Sequence, residues 1–121
     1  MEGEKIISYK DLIVWQKSMD LVLLIYQITK NFPKEELFGL VSQMRRAVVS
    51  IPSNIAEGKT RGSRKDYRHF LLNSFASGSE LETQLLISKR LDYFNMQDFE
   101  KINFDLTEVM KMLNTLIYKL N

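Results

Sequence analysis

The stretch that decides the fold is Phe99-Glu100-Lys101-Ile102-Asn103-Phe104-Asp105-Leu106-Thr107-Glu108-Val109-Met110-Lys111-Met112-Leu113-Asn114-Thr115-Leu116-Ile117-Tyr118-Lys119-Leu120. Within it Phe99, Ile102, Leu106, Val109, Leu113, Leu116 and Leu120 follow one another at steps of 3, 4, 3, 4, 3 and 4. That rhythm puts seven apolar side chains along one side of a long helix, a seam that must be covered by other helices. Asn95, with Asp98 three residues on, predicts the cap that starts it, and Asp92-Tyr93-Phe94 the turn before it.

Working back from there, Ser63 with Asp66 three residues later resembles a capping box, opening a third helix to about Leu91. Tyr67, Phe70, Leu71, Leu81 and Leu85 supply its apolar positions. Its middle (Ser74, Ala76, Ser77, Gly78, Ser79) is built of small residues, which suits close approach to Ala47, Ser50, Ser53 and Ala56 of a second helix. That second helix carries Leu37, Val41, Met44, Val48, Ile51 and Ile55 at steps of 4, 3, 4, 3 and 4. Pro33 is read as its first position, with Glu35 and Glu36 at the positive dipole end, and Gly58 as its stop. Pro52 falls inside it, and because the apolar phase runs on unbroken the expectation is one kinked helix, not two.

The first helix spans about Asp11 to Thr29. It shows two adjacent stripes: Leu12, Trp15, Met19, Val22, Tyr26, Thr29 and Val14, Ser18, Leu21, Ile25, Ile28, Phe32. That is wider than a single core contact needs. Leu23 and Leu24 fall among Gln16, Lys17, Asp20 and Gln27, on the side expected to face solvent. They read as ordinary exposed leucines or as a subunit interface, and the doubled stripe favours the interface. Four helices joined by short connections predict an all-α, antiparallel up-down-up-down four-helix bundle.

At 121 residues, 45% hydrophobic and 26% charged, the chain reads as one domain over 1–121, with 1–9 a loose leader. The absence of cysteine removes disulfides and thiolate sites and fits a reducing compartment. No secretory signal and no run long enough to span a bilayer precede or follow Leu12, so the expected location is cytoplasmic.

Enzymatic readings find little. A di-iron bundle needs Glu-x-x-His on two helices, and His69 is the sole histidine, with Asp66 where the glutamate belongs. No nucleophile elbow or phosphate-binding glycine loop is present. Neither a cofactor nor a metal is expected.

Charge is the informative feature. Residues 45–69 hold seven of seventeen Lys/Arg but two of fifteen Asp/Glu, a local +5 that leaves −3 for the rest. Arg45 precedes the main run, Lys59, Arg61, Arg64, Lys65 and Arg68, with Tyr67 as a stacking surface among them. These residues read as a solvated loop or as a set of phosphate contacts. Arg46, Ser50, Ser53 and Glu57 recur at 4, 3 and 4 with Asn54 on their flank. This polar stripe is either solvent-exposed or a partly buried seam, with Glu80 and Glu82 of the third helix as partners.

These residues also carry a resemblance. Asp11-Leu12-Ile13-Val14-Trp15-Gln16, Phe32-Pro33-x-x-Glu36, Gln43-Met44-Arg45-Arg46-Ala47-x-x-Ser50-Ile51-Pro52-Ser53-Asn54-Ile55-Ala56-Glu57-Gly58 and Glu80-Leu81-Glu82-Thr83-Gln84-Leu85 are similar to the bacterial 23S rRNA intervening-sequence proteins. Ala76-Ser77 stands where that family usually has Gly-Ser. The family is in turn similar to the accessory protein of diversity-generating retroelements, a pentameric bundle that binds a reverse transcriptase and nucleic acid. The resemblance implies a ring-shaped homo-oligomer, a pentamer by preference, without enzymatic activity and associated with ribosomal RNA. The expected function is binding of structured RNA or a ribonucleoprotein through the basic surface around the second connection. The alternative is a protein-binding scaffold that touches no nucleic acid.

Overall fold

A computed structural model describes residues 8–121. Its helices are α1 (Ile13–Thr29), α2 (Leu40–Arg61), α3 (Arg64–Arg90) and α4 (Met96–Lys119), and no strand occurs among the described residues. Each helix packs on its neighbours in the chain and α1 closes against α4, while the diagonal pairs stay apart. The four-helix antiparallel bundle is therefore as expected. One core runs through it, including Leu21 and Ile25 of α1, Met44 and Ile51 of α2, Leu71 and Leu81 of α3, and Ile102 and Leu113 of α4.

Of the stretch read as a loose leader over 1–9, Ser8 and Tyr9 belong to the entry of α1. Ser8 caps a short 3-10 turn at Tyr9–Asp11, accepting from the Lys10 N–H at 3.1 Å and donating its own N–H to the Asp11 carboxylate at 3.2 Å. Residues 1–7 lie outside the described residues. Of the two α1 stripes, Val14, Ser18, Leu21, Ile25 and Ile28 is the buried one, and Phe32 continues it beyond the helix. The other lies at its edge, with Met19 and Tyr26 more than a third exposed.

Both ends of α2 differ from the sequence reading. Pro33 caps a 3-10 turn at Lys34–Glu36 instead of opening the helix, and Leu37 is 49% exposed. The α-helix starts only at Leu40, because the Gly39 backbone, at φ −111° and ψ −110°, departs from helical dihedrals. Glu36 then serves two elements. Its carboxylate accepts from the Leu40 N–H at 3.2 Å and from the Tyr93 hydroxyl at 2.8 Å. The stop is Gly62, left-handed at φ +84°, and not Gly58. Gly58 is buried where α2 crosses α3, and a Cβ there would lie 2.8 Å from the Phe70 Cβ.

α2 runs through Pro52 without a break. Pro52 has no N–H, so the turn before it loses a helical donor. Three side chains donate to carbonyls in that turn: Ser53 to Val49 at 2.8 Å, Asn54 to Ser50 at 2.8 Å, and Ser74 of α3 to Ile51 at 2.9 Å. These bonds fall on the carbonyls next to that of Val48, the one whose helical donor Pro52 removes.

α3 and α4 begin at the expected caps: Ser63 accepts from the Asp66 N–H at 3.0 Å and Asn95 from the Asp98 N–H at 2.7 Å. Of the small residues of α3, Ser74 faces α2 but Gly78 faces α4, lying against the Met110 thioether. The α4 seam holds through Leu113 and then passes to Ile117, leaving Leu116 and Leu120 half-buried. A straight helix advances about 3.6 residues per turn, so a strict seven-residue stripe drifts off the core.

Candidate nucleic-acid interface

Because the bundle is antiparallel, the end of α2, the start of α3 and the end of α4 share one pole. Lys59, Arg61, Arg64, Lys65 and Arg68 come together there. Arg64, Lys65, Arg68 and His69 line an open groove with Leu72, Leu120 and Asn121.

The cations are held in different ways. Arg64 donates through Nη2 to the Lys119 carbonyl at 2.5 Å, and Arg68 through Nε to the Ile117 carbonyl at 3.3 Å. Both carbonyls belong to the last turn of α4, where a helix presents unpaired acceptors and partial negative charge. Positive charge in the first turn of α3 opposes that helix's own dipole; here it is matched by the opposite end of its neighbour. Arg61 pairs with Glu57 at 2.8 Å, one turn back on the exposed side of α2. Its guanidinium also sits 5.0 Å from the Phe70 ring centre. Lys59 lies over Tyr67 at 5.3 Å, and burial raises the Tyr67 hydroxyl pKa. Lys65 is exposed, with no ion pair or side-chain hydrogen bond among the described residues.

Arg45 does not belong to this pole. It precedes Arg61 by sixteen residues of α2, which is about 24 Å of helical rise. It stacks on Tyr26 at 4.6 Å and donates to the Thr29 hydroxyl at 3.0 Å and the Tyr26 carbonyl at 3.4 Å, so it secures the end of α1.

The polar stripe is not one seam. Ser50, Asn54 and Ser77 form a bonded group, with Ser50 and Ser77 hydroxyls 2.8 Å apart and Asn54 Nδ2 2.9 Å from Ser50 Oγ. Ser53 and Glu57 are exposed and make local contacts. Arg46 and Glu80 stand exposed at a polar cleft with Gln43, Ala47, Ser50 and Ser77, unpaired with each other among the described residues. Glu82 is exposed as well. Ser77, from the small-residue middle of α3 expected opposite Ser50 and Ser53, joins the group because α2 and α3 approach closely. Leu23 is 67% exposed, whereas Leu24 packs against the core. Among the described residues no group of three or more His, Asp or Glu is gathered as metal ligands, and no helix is long and apolar enough to cross a membrane.

The fold and this pole define a helical-bundle protein with a basic end. The chain belongs to the 23S rRNA-intervening sequence protein family, whose model matches residues 10–115. A solved structure from Bacteroides thetaiotaomicron is similar: a protein with unknown function from the S23 ribosomal protein family. The two share 30% identity at a TM-score of 0.78, covering 87% of this chain and 98% of that one. No curated relative matches the chain.

Proposed function

We propose that the protein is a non-enzymatic, cytoplasmic homo-oligomer, a pentamer by preference, that binds structured RNA or a ribonucleoprotein through the basic pole. The observation that carries this reading is the convergence of Lys59, Arg61, Arg64, Lys65 and Arg68 where α2, α3 and α4 meet. Cations on rigid helix ends are placed to neutralise phosphates, and a closed ring repeats the set once per subunit. Family membership supports a ribosomal RNA context.

The test is to recover the protein from its host, sequence the RNA that accompanies it, and measure affinity for that RNA against salt. Affinity falling linearly on a log–log plot, with a slope reduced by Lys59→Gln and Lys65→Gln, is the expected result. Absence of RNA and of any salt dependence overturns it and leaves the protein-binding scaffold as the reading. Phe38, 93% exposed, and Leu23 are the residues that favour such a scaffold.

A further inference from the structure

Single-strand binders combine cations with open aromatic faces on which bases stack. At this pole the aromatic faces are already taken. Tyr67 is half-buried under Lys59, with its edge against the site of Gly58. Phe70 carries the Arg61 guanidinium, and the His69 ring meets it nearly perpendicular at 5.4 Å between centres. Tyr9 is engaged edge-on by Trp15 at 5.4 Å. A base can reach Tyr67 or Phe70 only by displacing a cation that the same phosphate chain would need.

The three arginines, by contrast, are tethered, Arg64 and Arg68 to the end of α4 and Arg61 to Glu57. Each guanidinium has five N–H donors and spends few of them on these contacts. Tethered donors with no free stacking surface match an array of phosphates that is itself rigid. Helical RNA is bound mainly through its shape and backbone.

Resting on the reading above, we propose that the nucleic acid taken by this pole is a duplex held through backbone phosphates, not a strand read by base stacking. Two rings near the pole are exposed among the described residues: His69, which meets Phe70, and Tyr118, 78% exposed on α4 and engaged by no other ring. Tyr118 stands two residues before Leu120, which lines the groove with Arg64, and helical geometry turns residues at that spacing towards opposite sides. Tyr118 serves as the internal control.

The experiment measures binding of the full chain to a blunt RNA duplex about two helical turns long and of arbitrary sequence, to either of its single strands, and to the DNA duplex of the same sequence. The duplex is expected to bind at least about tenfold tighter than its strands, a ratio comparable to the contribution of one base stack. Scrambling the sequence and Tyr118→Ala are expected to change nothing. Preference for RNA over DNA, or parity between them, equally supports the proposal and says whether A-form shape contributes. Single strands binding as tightly as duplex, or a tenfold loss with Tyr118→Ala, overturns it while leaving the RNA-binding reading intact. No salt-dependent binding to any of the three overturns both.

Discussion

Arg64, in the first turn of α3, hydrogen-bonds the backbone carbonyl of Lys119, in the last turn of α4. One residue thus closes a helix end and contributes charge to the basic pole. Stability and binding should therefore separate differently along the cationic run. Arg64→Gln and Arg68→Gln should each lower stability by about 0.3–1 kcal/mol through loss of a cation at a helix C-terminus. Lys65→Gln should leave the melting temperature unchanged. All three should weaken RNA binding and reduce the salt slope, by up to about 0.9 for each duplex phosphate no longer neutralised. Thermal melts and salt titrations of the three variants check this.

Leu23 and Leu24 are adjacent but have different surroundings, one exposed and one packed on the core. Leu23→Lys should reduce the size of the assembly in light scattering and leave the fold intact. Leu24→Lys should destabilise the bundle by about 1–3 kcal/mol, since it forces a charge against buried apolar surface. A parent protein that scatters as a 14.2 kDa monomer at micromolar concentration would rule out the assembly.

Gly58→Ala ought to help an ordinary helix by nearly ~1 kcal/mol. Here the added methyl meets the Phe70 Cβ at 2.8 Å and the Tyr67 carbonyl at 3.2 Å, neither of them the far end of a flexible side chain. The expected net effect is a loss of about 1–3 kcal/mol by overpacking. Gly78→Ala should cost less, because Met110 opposite it is a flexible side chain. Denaturant titration of both variants decides the order.

Pro52→Ala should fold and be at least as stable as the parent. Alanine restores an N–H that can reach the Val48 carbonyl and relieves the clash behind the expected kink, an effect of up to about 3 kcal/mol. Marked destabilisation in a thermal melt would mean that α2–α3 packing is built around a bend at this residue.

Alkaline pH should weaken the fold. The hydrogen bond to Glu36 raises the Tyr93 pKa, burial raises that of Tyr67, and the bond to Glu108 raises that of Lys17. A group with a raised folded-state pKa gives stability that is complete below its unfolded value, about 10 for tyrosine, and lost as pH rises through the folded value. Denaturation followed across the alkaline range should show a decline above pH about 10, shallower in Tyr93→Phe.

Periodicity, caps and short connections are local properties, and they determined the four helices, their antiparallel order, the starts at Ser63 and Asn95, and most of the buried positions of α2 and α4. The start of α2 escaped that reading because the Gly39 backbone breaks the helix after the turn at Pro33, and its end because two glycines look alike in sequence: Gly62 is chosen by a backbone dihedral and Gly58 by its distance from Phe70. The cationic run was legible as charge, since charge is additive along a chain. Its division was not. Arg45 leaves the group because the rise of α2 carries it to the far end of the helix, and Arg64 and Arg68 acquire a second role because α4 ends beside them. The polar stripe dissolved for a related reason. Hydrogen bonding is short-ranged and directional, so only the approach of α2 to α3 decided that Ser50 would meet Ser77 and that Ser74 would meet the backbone beside Pro52.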